Sequence, residues 1–252
     1  MPKGAAVLEA GAGSGRWLKA LTDRGYDVTG IELNRADVDR FRSVWPDIRF
    51  DHGSVEHMPY DDGRFDAVLS LGVIEHMFYG SEQALAEMRR VQKPGGVMLL
   101  TVPHANASFW FERLKDAVLY RAYRSDAIRR FLGKPKIGYS REAEQQRLKT
   151  VRSDRRPGFA VKYRFSRDAG REFYEYRFTT AQIARMVERA GFAIESVHVL
   201  YQADRLYQIF GRLLGRYDQC RSPRLNRLGR LVAGALPSSW IGHMVLVVAR
   251  AV

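Results

Sequence analysis

Glu9-Ala10-Gly11-Ala12-Gly13-Ser14-Gly15 is the stretch of this chain best suited to chemistry on a bound ligand. Glycine at alternate positions lets a backbone turn sharply and lets a ligand approach it without meeting a Cβ. A helix that starts just after such a turn points its free N–H groups at whatever the turn holds. The spacing restricts the ligand. A dinucleotide fingerprint requires G-x-G-x-x-G. Counted from Gly11 the third glycine would fall at Arg16, and counted from Gly13 at Leu18, so that cofactor class does not fit. What stands out instead is an acid, Glu9, two places before the first glycine. A glycine turn that binds nothing satisfies so short a pattern equally well, and the surrounding elements have to decide.

Those elements alternate. The apolar run from Ala5 to Leu8 predicts a buried strand, and Arg16 to Leu21 an amphipathic helix. Asp27 to Glu32 predicts a second strand that ends in an acid; Arg35 to Val44 reads as a helix stopped before Pro46. Ile48 to His52 is a short third strand, and Phe65 to Ser70 a fourth, after the turn Asp61-Asp62-Gly63. Ser81 is placed to N-cap a helix to Val91, closed by Pro94-Gly95-Gly96, and Val97 to Val102 is a fifth strand. Strand and helix in alternation predict a parallel sheet covered on both faces.

The pattern lapses between His104 and Arg177. Phe109 to Leu132 carries aromatic and aliphatic side chains at helical spacing, with Arg121, Arg124, Arg129 and Arg130 among them, so a helical insertion is expected there. Thr179 with Gln182 makes a capping-box pattern for a helix to Ala190. Ala193 to Leu200 is a sixth strand and His243 to Ala249 the last. Between these two strands lie two apolar stripes. One is Leu206, Ile209, Phe210, Leu213, Leu214 and Tyr217; the other is Leu225, Leu228, Leu231, Val232 and Leu236, beside Arg221, Arg224, Arg227 and Arg230. Both read as amphipathic helices that pack on the core or lie on an anionic membrane.

Taken in order, these stretches resemble the class I S-adenosylmethionine (SAM)-dependent methyltransferases, in particular the bacterial small-molecule type. The matching segments are Glu9-x-Gly11-x-Gly13-x-Gly15, Glu32, Gly53-Ser54-Val55-Glu56-His57-Met58-Pro59-Tyr60 and Gly63-Arg64-Phe65-Asp66. Leu71-Gly72-Val73-Ile74-Glu75-His76, Arg90-Val91-Gln92-Lys93-Pro94-Gly95-Gly96 and Thr179 to Phe192 complete the set. The resemblance implies an α/β, Rossmann-like, doubly wound sheet of seven strands, mostly parallel, with the last strand antiparallel between its neighbours. The cofactor would be SAM, over the carboxyl ends of strands one and two. Its binding residues would be Glu9, Ala10, Gly11, Gly13, Gly15, Glu32, Leu33, Gly53, Ser54, Val55 and Leu71, with Glu32 on the ribose diol and His57 packing near the adenine. One residue departs from the family pattern: Ser54 stands where an aspartate usually accepts from the adenine amino group. A hydroxyl accepts without charge, which implies weaker adenine binding or a substitute acceptor.

Methyl transfer from a sulfonium is an in-line displacement, and the protein's main task is to align donor and acceptor away from water. A base is needed only where the acceptor must lose a proton. His76, after the fourth strand, is the first candidate and His104, past the fifth, the second; no metal is expected. Residues 104–177 are expected to form a lid that selects the substrate, and residues 201–242 a basic insertion before the last strand, all within one domain. The lid would take the place of covering helices that relatives carry ahead of the first strand.

Charge adds a hint about the acceptor. The net charge is +13, yet residues 1–103 carry −3, residues 104–177 carry +10 and residues 201–252 carry +6. Basic late segments favour an anionic partner: a small molecule, a saccharide, a lipid-linked acceptor, a membrane surface or nucleic acid. O- or N-methylation of a small or lipid-linked acceptor is the first expectation. An RNA methyltransferase is the alternative; the base amino-methylating motif is absent from Ser70-Leu71-Gly72-Val73. A non-catalytic SAM-fold binding protein is a third reading. The single cysteine, Cys220, excludes an internal disulfide framework and fits a reducing compartment. No apolar run approaches the roughly 20 residues of a membrane span, and no leader is expected ahead of the first strand. A cytoplasmic protein, peripheral to the membrane at most, is expected.

Overall fold

The computed structural model describes residues 1–123, 125–133, 138, 140–154, 157–166, 170–218 and 222–252; Arg124, Cys220 and Arg221 lie outside the described residues. The first half follows β1 (Ala6–Ala10), α1 (Arg16–Thr22), β2 (Asp27–Glu32), α2 (Arg35–Val44), β3 (Arg49–His52), β4 (Phe65–Leu71), α3 (Glu82–Val91) and β5 (Gln92–Pro103). An insertion follows, made of α4 (Ala107–Tyr123), α5 (Asp126–Phe131), α6 (Arg141–Asp154) and the strands β6 (Ala160–Ser166) and β7 (Gly170–Arg177). The chain then returns through α7 (Thr180–Arg189), β8 (Phe192–Leu200), α8 (Gln202–Phe210), β9 (Gly215–Tyr217), β10 (Pro223–Leu225), α9 (Arg227–Ala235), α10 (Ser238–Ile241) and β11 (Met244–Ala251).

Seven strands form one sheet in the order β3-β2-β1-β4-β5-β11-β8. β11 runs antiparallel to both of its neighbours, and the remaining pairs are parallel. This is the seven-stranded, mostly parallel Rossmann-like sheet that the alternation and the resemblance imply. Helices cover both faces, so β1 is buried nearly throughout and reads as a continuous apolar run. One side packs Leu18, Val38, Phe41 and Phe50 under α1 and α2; the other packs Leu85, Met88, Ile183 and Val187 under α3 and α7. Strand order reverses at β1, which pairs with β2 on one side and β4 on the other. Ligands of open α/β sheets bind at such a switch point, outside the strands' carboxyl ends.

The capping box of α7 is present: the Thr179 hydroxyl accepts from the Gln182 N–H at 3.2 Å, and the Thr179 N–H donates to the Gln182 side chain at 2.9 Å. Four readings of the chain are corrected. α3 is closed by Gln92, already in extended conformation, and Pro94-Gly95-Gly96 lies inside β5. β4 pairs as far back as Phe65 with Gln92, and the irregular register beyond that pair absorbs the glycines.

The insertion ends not in helix but in an antiparallel hairpin of β6 and β7. Its strand character was masked because Glu175 and Arg177 are buried along with Tyr176, which erases the polar–apolar alternation of a half-exposed strand. The stripe from Leu206 to Tyr217 is not one helix. α8 stops at Gly211, which has φ 57°, and the chain turns into the short ribbon of β9 and β10. A Cβ on Gly215 would meet the Arg224 carbonyl at 2.6 Å, so the ribbon can close only over glycine. Leu206 and Leu214 are buried with Ile241, whereas Leu213 faces solvent. The second stripe likewise begins in β10 and turns helical only at Arg227.

Candidate functional site

At the switch point lies a cavity of about 910 Å³. The glycine turn contributes Gly11 and Gly13, the end of β2 contributes Glu32 and Leu33, and the loop before β4 contributes Gly53, Ser54 and Val55. Glu9 lines it from β1, Leu71 from the end of β4, and His76 from the short 3₁₀ turn at 74–76. Ala10, Gly15, His57 and His104 are not among the lining residues. Ala10 turns into the main core, and His57 faces solvent. His104 is buried, its ring held by the Asn106 amide at 3.0 Å, which also donates to the Gly242 carbonyl.

The three glycines of the turn do different work, although all have positive φ. A Cβ on Gly11 would come within 2.5 Å of Val73, and one on Gly15 within 2.3 Å of the Phe41 ring. Gly13 has nothing within 4 Å in that direction. Gly11 and Gly15 thus serve packing, and Gly13 alone leaves open space on the cavity side. Gly15→Ala should cost about 2 kcal/mol of stability, because the clash adds to the left-handed strain. Gly13→Ala should cost about 1 kcal/mol, the backbone strain alone. Urea denaturation of the two variants measures this; equal losses would refute the division of roles.

Glu32 is held by the backbone it serves. One carboxylate oxygen accepts from the Gly13 N–H at 2.8 Å and the other from the Asn34 N–H at 2.9 Å. Each oxygen keeps a further lone pair. Glu9 is buried, and burial pushes its pKa up to about 8 against the opposing pull of a backbone hydrogen bond and Arg16. Its Oε2 has no hydrogen-bond partner among the described residues. Ser54 uses its hydroxyl within its own loop, accepting from the Glu56 N–H at 3.1 Å.

His76 sits 2.8 Å, through Nδ1, from the Tyr174 carbonyl on β7, and its ring meets that of Tyr174 edge-on. A carbonyl only accepts, so Nδ1 carries a proton, and a ring holding that proton alone would offer Nε2 as an acceptor. This tautomer is assigned from the hydrogen bond. Glu75, His76 and Glu175 bring one ligand atom each within 4.8 Å of one another, but Arg177 already sits 2.7 Å from Glu175. Burial, with the Glu175 charge adding to it, pushes the Glu75 carboxyl up to about 8. The folded state therefore binds this proton more tightly than the unfolded chain. Its contribution to stability is complete below about pH 4.5 and is lost as pH rises toward 8. Glu75→Gln should flatten the fall in Tm between pH 5 and pH 8; an unchanged slope would contradict this.

Several lining residues carry no local signal. Met77, Phe78 and Tyr79 follow His76, while Thr101, Tyr201 and Met244 come from β5, the start of α8 and β11. Tyr201 has φ 62° and is the sole non-glycine residue with positive φ among those described.

Comparison with known proteins decides the family. The methyltransferase domain model matches residues 8–100. A probable S-adenosylmethionine-dependent methyltransferase of Mycolicibacterium smegmatis is 35% identical over 98 residues, 39% of this chain and 38% of that protein. A fatty-acid O-methyltransferase of the same organism is 33% identical over 123 residues, 46% of this chain and 44% of that protein. Residues 8–100 belong to the class I SAM-dependent methyltransferase superfamily. The match spans less than half the length of these relatives. A SAM-dependent methyltransferase of Methanosarcina mazei shares the fold over 100% of this chain and 94% of its own, with a TM-score of 0.61 and 14% identity.

The methyltransferase domain fits the superfamily's cofactor, SAM. The donor is cationic at its sulfonium and its amino group, and the wall around it carries Glu32 and Glu56 against the single cation Arg16, with Glu9, whose carboxyl burial pushes up, beside them. The orphaned Oε2 of Glu9, the open side of Gly13 and the spare lone pairs of Glu32 are the features such a ligand would satisfy.

Proposed function

We propose that the chain is a SAM-dependent methyltransferase that methylates oxygen or nitrogen of an anionic small molecule, saccharide or lipid-linked acceptor. One observation carries this reading: a single cavity brings together the glycine turn, the backbone-held Glu32 carboxylate and His76, whose Nδ1 is fixed by the Tyr174 carbonyl. When bound, SAM supplies a methyl group on a sulfonium for in-line displacement. Glu32 accepts from the ribose hydroxyls. Glu56 supplies the charged acceptor for adenine that position 54 lacks. Val55 and Leu71 pack the cofactor, and Phe78 with Tyr79 helps close the rim against water. His76 takes the proton an acceptor hydroxyl or ammonium must lose, while Tyr174 fixes its ring.

The relative that acts on fatty acids supports an acceptor of lipid type. So does α4, where the exposed Trp110, Phe111, Leu114 and Val118 stand among Arg113, Lys115 and Arg121. Such a face suits contact with an anionic bilayer, and no helix of the described residues is long and apolar enough to cross one. Salt-sensitive co-sedimentation with phosphatidylglycerol vesicles is expected; absence of binding at low salt would remove the membrane part of the reading. Isothermal titration with SAM and S-adenosylhomocysteine tests the whole. Folded protein that binds neither would end it.

A further inference from the structure

Next to the wall that carries His76 is a second cavity, of about 430 Å³, lined by Glu112, Lys162, Tyr174, Glu175, Arg177 and His243 among others. Two links join it to the first. Tyr174 lines it and holds His76 through its carbonyl; His243 lines it, and the next residue, Met244, lines the first cavity.

The electrostatics of this cavity are unbalanced. Arg177 is 1% exposed; its Nη2 pairs with Glu175 at 2.7 Å, but its Nε and Nη1 reach no acceptor among the described residues. A buried guanidinium with two unsatisfied nitrogens is costly and uncommon. The Phe109 ring lies under its guanidinium at 5.3 Å but accepts for neither nitrogen, and the neighbouring cations offer no relief. Arg205, fully buried, gives Nε to Ser108 at 2.7 Å and Nη1 to Glu112 at 2.6 Å, and its Nη2 is also without an acceptor. Lys162 lies 3.1 Å from the same Glu112.

Three cations therefore pair with two carboxylates, and the further acid near Lys162, Asp116, has its carboxyl pushed up by burial and by Glu112. Glu75, close by, keeps its proton below about pH 8 and adds no charge that would compensate. The surplus also registers on His243: burial first, then Arg177, Arg205 and Lys162, push it down to about 3, so its ring is neutral.

We propose that this second cavity receives the anionic group of the methyl acceptor, a carboxylate or a phosphate, against Arg177 with Lys162 beside it. The inference rests on the methyltransferase reading above and gives the acceptor its anchor. Arginine suits the task because its planar, permanently charged donors match either oxyanion. An acceptor held there by its charged end reaches past Tyr174 toward His76 and the donor cavity.

The test titrates inorganic phosphate and, separately, acetate into the full chain at constant ionic strength, with S-adenosylhomocysteine titrated in parallel. Saturable binding of at least one anion is expected, and its relative strength tells phosphate from carboxylate. Arg177→Met/Glu175→Gln, which removes both charges of the pair, should weaken that binding by about tenfold or more. S-adenosylhomocysteine affinity should stay within about twofold. Arg227→Ala/Arg230→Ala, on the exposed face of α9, should leave both unchanged. No saturable anion binding by folded wild-type protein, or undiminished binding by the Arg177 variant, overturns the proposal. If that variant does not fold, Lys162→Met, whose side chain is 25% exposed, decides by the same criterion. Wild-type protein that binds the anion but not S-adenosylhomocysteine would instead refute the methyltransferase reading.

Discussion

Glu32→Ala will weaken S-adenosylhomocysteine binding by about a thousandfold, or about 4 kcal/mol, as read by isothermal titration. Two effects add. The carboxylate would lose two charge-assisted hydrogen bonds to the ribose hydroxyls, each in the range of about 1.5–3 kcal/mol. It would also release the N–H groups of Gly13 and Asn34, which it now fixes at 2.8 and 2.9 Å. The second effect distinguishes Glu32→Gln from Glu32→Ala. The amide keeps one acceptor oxygen and can hold only one of those N–H groups, so an intermediate loss is expected. Glu32 is partly exposed, so neither variant should unfold the sheet. Affinity within threefold of wild type in Glu32→Ala would show that the ribose lies elsewhere.

His76→Gln should lower kcat by about a hundredfold or more on an acceptor that must lose a proton, the usual range for a positioned general base. S-adenosylhomocysteine affinity should change little, since the proposed donor contacts sit on β1, β2, the loop before β4 and the end of β4. This split separates a base from a packing role: a residue that only shapes the cavity would move affinity and turnover together. Tyr174 holds the ring through its carbonyl, not its side chain. Tyr174→Phe should therefore keep the tautomer and most of the rate. A His76→Gln enzyme that turns over at the wild-type rate would leave the proton to solvent or to the acceptor itself.

Both predictions concern residues that the chain announces locally. The run Ala6–Ala10, the glycines after it and the acid closing β2 are adjacent in sequence, and each is tied to its element by short-range geometry. Gly11 and Gly15 are required because Val73 and Phe41 press on them, which the glycine spacing alone does not reveal. Position in the pattern also misplaced two residues. Ala10 and Gly15 belong to the motif yet do not line the cavity: Ala10 turns into the core because alternate residues of a strand point to opposite faces, and Gly15, at the start of α1, lies against the Phe41 ring of α2.

Long-range pairing decided the rest. His104 is the second candidate after His76, each just past a strand, but β11 docks beside β5 and buries it near Gly242. The hairpin of β6 and β7 was illegible because an ion pair is buried in its last turn of sequence, and no local rule anticipates Glu175 paired with Arg177 inside a protein. The second cavity draws Glu112 from α4, Lys162 from β6, Arg177 from β7 and His243 from just ahead of β11, and Arg205 of α8 is tied to it through Glu112. The sequence by itself determined the sheet, its order of elements and the donor-binding turn, because hydrophobic runs, glycines and caps act over a few residues. Only the tertiary structure decided which histidine lines the cavity and where the surplus positive charge gathers, because those groups meet solely through the packing of the insertion on β5, α8 and β11.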